Sequence, residues 1–351
     1  MLGTAVFTFI ALLFIGMAYQ ALGAAADRRR YPPPGRMVDV GGHRMHIYST
    51  GNGDPAVVFD AGLPGSVLSW HYVMPDLGRL VRAVAYDRAG LGWSEPSPEP
   101  RTAERIVEEL HELLERAGVP PPYILVGHSF AGLTTRLFAA RHPEEVAGLV
   151  LVDPVGPGEW VPLGEHERKQ LEGGARLCRR AAWFGRFGVT RLVALLVRVG
   201  APTLARIAVL FISDGAIGHP PSLLSPLQKL PRDVRKTIHM FWVQPKFYEA
   251  MAGQIESLPE SAAQVLRAGN GLRGKPVIVI SSANTEPRRL AEQIAITRLS
   301  SHGRHLVARK SGHWIQLDEP ELVTGAILEA IADLGRPPET PMGRPARPMI
   351  Q

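Results

Sequence analysis

Residues 123–132 read Tyr123-Ile124-Leu125-Val126-Gly127-His128-Ser129-Phe130-Ala131-Gly132. Four residues of β-forming type run up to a glycine, and the amphipathic pattern Leu133–Ala140 begins just after the serine. A chain that leaves a strand and enters a helix this abruptly has no room for large side chains two positions either side of the apex. Gly127 and Ala131 meet that requirement, and Ser129 at the apex is pushed out of the turn with its hydroxyl exposed. The stretch therefore predicts a strand–nucleophile–helix unit of the form G-x-S-x-A.

Its surroundings repeat the same strand-then-helix logic. Arg36 to Ser49 reads as two short strands joined at Gly41-Gly42. Buried-strand runs recur at Ala56–Asp60, Val81–Tyr86, Tyr123–Val126, Gly148–Val152 and Pro276–Ser281. Helical patterns occupy Thr102–Ala117, Leu133–Ala140 and Pro320–Leu334; Thr102 is expected to cap the first, and Asp318, with Pro320 and Glu321 behind it, to open the last. Continuous apolar strands alternating with amphipathic helices predict a mostly parallel sheet covered on both faces. The alternation stops between Val155 and Arg273, where the pattern is helical with Pro and Gly breaks. Ligands of open α/β sheets bind beyond the carboxyl ends of the strands, so an insertion there is expected to roof the site. The predicted organisation is an N-terminal segment 1–30, a core of 36–154 plus 274–335, a helical cap 155–273, and an unstructured tail 336–351 with five prolines in 16 residues.

Composition narrows the classes. The 351 residues are 45% apolar and 21% charged, the balance of a globular chain with a large core. The 36 Gly and 31 Pro show no three-residue period, which excludes collagen, and the single cysteine, Cys178, excludes a disulfide framework and a Cys-based zinc site. There is no H-E-x-x-H, P-loop or dinucleotide fingerprint, so neither metal nor cofactor is expected. Net charge is +6 and the isoelectric point about 9.7. Nine basic residues against the single acid Glu172 lie between Arg168 and Arg206, interleaved with Leu177, Trp183, Phe184, Phe187, Leu192, Val193, Leu195, Leu196 and Val199. That mixture suits an interfacial helix on anionic lipid, or a cap whose apolar face covers the site while its arginines face water. Nucleic acid is not expected, because no binding motif accompanies the charge.

Leu2 to Ala26 holds 25 residues without a charge, followed by Arg28-Arg29-Arg30 and Pro32-Pro33-Pro34. About 20 such residues cross a bilayer. We read 2–26 as an uncleaved lipid anchor, since no basic residue precedes it; the alternative is a secretory signal cut near Ala26. The arginine triplet favours a cytoplasmic location for the domain beyond it.

With the elbow and the alternating pattern in place, the chain resembles the α/β-hydrolase superfamily over roughly residues 36–334, closest to membrane-anchored bacterial members with a helical cap. The resemblance implies a Ser–acid–His order along the chain. Ser129 is then the nucleophile. Ser311-Gly312-His313-Trp314, between the run His305–Ala308 and the last helix, supplies the general base, His313. The acid has two positions. Most members carry it after the strand that here is Pro276–Ser281, where only Glu286 is in reach; others take it from the earlier strand end, where Asp153 stands, with Pro154 expected to hold it extended. Asp153 is the first choice and Glu286 the alternative. The loop Ala61-Gly62-Leu63-Pro64-Gly65-Ser66 resembles the family's H-G-x-P-G-S with Ala61 in place of His, which implies the backbone N–H groups of Leu63 and Phe130 as oxyanion donors. Tyr86-Asp87-Arg88-Ala89-Gly90-Leu91-Gly92-Trp93-Ser94 resembles the D-x-x-G-x-G-x-S turn, read as structural, with Asp87 bonding the loop. His128 is read as a packing residue. These residues imply a serine hydrolase, carboxylesterase- or lipase-like, acting on a small-molecule acyl substrate. Serine-dependent carbon–carbon hydrolysis, a lyase reaction, and a non-catalytic binding module on the same fold are the alternatives.

Overall fold

The computed structural model describes residues 1–201, 203–204 and 228–334. The expected unstructured tail 336–351 lies outside the described residues.

Eight strands form one sheet: β1 (Arg36–Asp39), β2 (Arg44–Thr50), β3 (Ala56–Asp60), β4 (Ala83–Tyr86), β5 (Tyr123–His128), β6 (Val146–Val152), β7 (Pro276–Ser282) and β8 (His302–Ala308), in the order β1-β2-β4-β3-β5-β6-β7-β8. β1 pairs with β2 and β2 with β4 antiparallel; every pairing from β4 to β8 is parallel. The central strands are apolar without interruption because both faces are covered. Along β3, Ala56 and Val58 enter one core while Val57 and Phe59 enter the other, and β5, β6 and β7 divide the same way. This is the α/β-hydrolase fold, with a mostly parallel sheet between helical layers.

Helices described are α1 (Leu2–Arg30), α2 (Met74–Leu77), α3 (Ala103–Arg116), α4 (Ala131–Arg141), α5 (Glu165–Arg186), α6 (Val189–Arg198), α7 (Arg232–Trp242), α8 (Pro245–Glu256), α9 (Leu258–Ala268), α10 (Pro287–Thr297), α11 (Ile315–Asp318) and α12 (Pro320–Ala332). Thr102 caps α3 as expected, accepting from the Arg105 N–H. Asp318 does not open α12. It ends the short helix α11 and pairs with Lys229, while Glu319 takes the cap position and turns its carboxylate to the Lys310 N–H. A separate turn of helix before Pro320 escapes any reading that treats the stretch as one element.

Between β6 and β7 the described residues include the helices α5 to α9 and short 3₁₀ turns, with no strand among them. α9, the last helix of the insertion, packs against the core, with Leu258 and Val265 in the cluster that α3 and α4 fill. α5 lies along α8, with Arg179 paired to Glu256 and Arg186 to Glu249. α1 is long and apolar enough to cross a membrane.

Candidate active site

The parallel strands all point the same way, so the loops after β3, β5, β6, β7 and β8 gather at one edge of the sheet. Ser129 follows β5 with φ +56°, and Asp153 follows β6 with φ +42°. Among the described residues they are the two non-glycine positions in the left-handed region. Such backbone costs about 1–3 kcal/mol per residue and persists only where the surroundings impose it. For Asp153 this corrects the expected extended conformation: its N–H bonds Ile280 O at 2.7 Å and its C=O accepts from Arg289 at 2.9 Å, and these contacts override the preference set by Pro154. At the elbow, a Cβ on Gly127 would come within 2.8 Å of Ala131 O and of Thr135 Oγ1, the crowding expected of the G-x-S-x-A pattern.

His313, on the loop after β8, links the two. Its Nε2 lies 3.0 Å from Ser129 Oγ and its Nδ1 2.6 Å from Asp153 Oδ2. The imidazole is about a third exposed, whereas Asp153 is buried. Gln293 donates to Asp153 Oδ1 at 2.8 Å and Thr285 at 3.2 Å. Burial pushes the Asp153 carboxyl up, but the His313 hydrogen bond, the Arg289 charge and Gln293 more than offset it and hold the group down at about 2. Glu286 is placed elsewhere: it caps α10, accepting from the N–H groups of Arg288 and Arg289. The loop between β7 and α10 thus contributes a donor, Thr285, to Asp153 rather than an acid of its own.

The loop after β3 leans over the serine. A Cβ on Gly62 would meet His128 Nδ1 at 2.7 Å and Ser129 Cβ at 3.3 Å, so only glycine allows this approach. The backbone N–H groups of Leu63 and Phe130 have no acceptor among the described residues. Arg88 holds both sides of this arrangement, which sequence reading missed by treating its turn as merely structural. Its guanidinium donates to Ala61 O at 2.7 Å and Gly62 O at 2.6 Å, pairs with buried Asp60 at 2.9 Å, and lies 5.0 Å over the Phe130 ring. Asp87 does bond its loop, accepting from the N–H groups of Val67 and Trp93. His128 is fully buried, with Nε2 against His313 O at 2.9 Å; burial and then the neighbouring His313 push its pKa down to about 3, which makes it a neutral packing group.

One group elsewhere has metal-ligand residue types: His111, His142 and Glu145. The two rings stack with centroids 4.1 Å apart and planes at 8°, so their in-plane lone pairs do not converge on one ion. The group also precedes β6, at the opposite edge of the sheet from Ser129.

Comparison with known proteins agrees with this architecture. A family model described as alpha/beta hydrolase fold matches residues 55–320. An AB hydrolase superfamily protein of Gibberella zeae is 26% identical over 291 residues, covering 79% of this chain and 86% of that protein. The Bacillus subtilis protein YqjL is 39% identical over 112 residues, or 32% of this chain. The first curated relatives are matched over less than half of their own lengths, 44%, 18% and 40%. Among solved structures, a thermophilic esterase from Thermogutta terrifontis is matched over 86% of this chain and all of that one, with TM-score 0.59 and 21% identity, a likeness of fold. With the family model spanning most of its length, the chain belongs to the α/β-hydrolase fold family.

Proposed function

We propose that the protein is a serine hydrolase that cleaves an ester or related acyl compound through an acyl-enzyme. The observation that carries this reading is the continuous line from Ser129 Oγ through the His313 ring to Asp153, at 3.0 and 2.6 Å. Serine is a weak nucleophile at neutral pH. His313 Nε2 takes the hydroxyl proton as Oγ attacks the carbonyl carbon, and returns it to the leaving group. Water then repeats the sequence to release the acid. Asp153, held ionised, fixes the imidazole tautomer and stabilises the imidazolium without taking its proton. The Leu63 and Phe130 N–H groups receive the oxyanion. One such donor is typically worth about 100- to 1,000-fold in rate. Epoxide hydrolases and haloalkane dehalogenases of this fold attack with an aspartate; Ser129 stands at that place here, which favours acyl transfer.

The test is p-nitrophenyl ester hydrolysis across acyl lengths by the detergent-purified full chain. Ser129→Ala, His313→Ala and Asp153→Asn are each expected to lower kcat by about 10⁴- to 10⁶-fold. Labelling by a fluorophosphonate is expected in the wild type and lost in Ser129→Ala. Folded protein that neither turns over any ester nor takes the label would sink the proposal.

A further inference from the structure

We infer that α6 and the turn before it lie inside the bilayer interface, so that lipid covers the exposed apolar face of α6, and that docking of α1 onto the insertion sets this depth. The inference rests on reading α1 as a membrane helix and is independent of the chemistry at Ser129.

The first argument is a ruler. α1 is not a free tether. Gly16, Gln20, Gly23 and Asp27 share one helix face and meet the insertion: a Cβ on Gly16 would lie 2.4 Å from Phe187 O, and one on Gly23 would lie 2.5 Å from Arg191 Nε. Gln20 is buried, donates to Val243 O at 3.2 Å and accepts from Arg191 at 3.2 Å, while Arg191 pairs with Asp27 at 2.7 Å. Among the described residues these contacts begin at Gly16, which leaves Leu2–Ile15 ahead of them. Fourteen residues at 1.5 Å rise give about 21 Å, some 9 Å short of a hydrocarbon core of about 30 Å. A crossing helix must therefore carry Gly16 to Gln20, and with them Phe187, Gly188 and the start of α6, below the hydrocarbon boundary.

The second argument is the surface that this places there. Leu192, Leu195, Val197 and Val199 are 46%, 41%, 59% and 64% exposed, and Trp183 of α5 is 50% exposed. Interfacial helices bury their apolar face about 5–10 Å deep, the depth the ruler demands. The third is charge. Basic residues suggested electrostatic attraction to anionic lipid, yet Arg179, Arg186 and Arg191 are paired with Glu256, Glu249 and Asp27. Contact carried by apolar area rather than by free cations is insensitive to salt and to lipid charge.

The experiment uses the full chain with Cys178→Ser, reconstituted in phosphatidylcholine vesicles, spin-labelled at Leu195→Cys or, as a second site, Val199→Cys. Leu266→Cys, on exposed α9 surface, is the aqueous control. Labels on α6 are expected to collide with oxygen more than with a water-soluble nickel chelate, and the control label the reverse. The result should hold with about 30 mol % phosphatidylserine and in about 0.5 M salt. Gly16→Leu, which drives a side chain into Phe187 O, is expected to move the α6 labels toward water while the chain still floats with vesicles. An α6 label as open to the chelate as the control overturns the inference. Shielding from both reagents overturns it too, since protein rather than lipid would then be the cover. Unchanged depth in Gly16→Leu removes the docking ruler. Failure of the wild-type chain to float overturns the anchor reading and this inference together, whatever the esterase assay shows.

Discussion

Arg88 ties the loop after β3 to Asp60 and the Phe130 ring without itself reaching the Ser129 hydroxyl. Its guanidinium is 2% exposed and paired with an equally buried Asp60, whose second oxygen accepts from Thr134 at 2.5 Å. Burial raises the Asp60 carboxyl, and the Arg88 charge and Thr134 work against that rise. Removing one member of such a pair strands the other and costs about 3–5 kcal/mol. Arg88→Met is therefore expected to lower the unfolding free energy by about that amount. On the proposed mechanism it should also lower kcat with little change in KM, because the Ala61 and Gly62 carbonyls lose the donors that fix the loop carrying Leu63. Denaturant titration beside ester kinetics checks both; an unchanged kcat in folded Arg88→Met would remove the positioning role.

At the scale of elements, which carboxylate meets His313 is decided by what each strand end does with its first loop residues. After β7 the chain passes through Thr285 and starts α10, whose unpaired N–H groups claim Glu286. After β6 it turns sharply at Asp153 and sends the carboxylate to His313. Glu286→Ala is accordingly expected to cost about 1 kcal/mol as a lost helix cap and to leave ester turnover within about twofold. Thermal denaturation and steady-state rates measure the two; a loss of activity comparable with that of Asp153→Asn would reverse the assignment. The elements were largely legible in the sequence. Strands β3, β5, β6 and β7 announced themselves as unbroken apolar runs because they are buried on both faces. The α11–α12 break did not, because Glu319 stands at the cap position of α12 with its carboxylate turned away to the Lys310 backbone N–H, a contact that no local pattern encodes.

For the molecule as a whole, the site makes stability depend on pH. His128 is fully buried with a pKa near 3 against an ordinary 6.5, so below pH 6.5 the unfolded chain binds a proton that the folded chain refuses. Stability from this group is complete above pH 6.5 and is lost as pH falls toward 3. Asp153, held at about 2 against 3.8, adds a loss in the same direction between those values. Calorimetry from pH 7 to 4 is expected to show a falling Tm that is flatter in His128→Leu, since the Asp153 window lies lower. Parallel slopes in the two proteins would refute the buried, neutral histidine.

Short-range rules were enough to place the strands and helices in order, the elbow at Ser129 and the loop that carries His313. Periodicity, small residues flanking a sharp turn, and a loop between a late strand and the last helix are all written in neighbouring residues. The partner of His313 was settled only by folding. Asp153 and His313 are 160 residues apart, and the choice against Glu286 depended on hydrogen bonds that Asp153 receives from Gln293 and Thr285 and donates to Ile280 O, which exist only once β6 and β7 are side by side. The same holds for Arg88 beneath the oxyanion loop and for α1 against α6. Each is a pairing between distant segments, and a one-dimensional pattern records which residues can pair but not which of them the folded backbone brings within 3 Å.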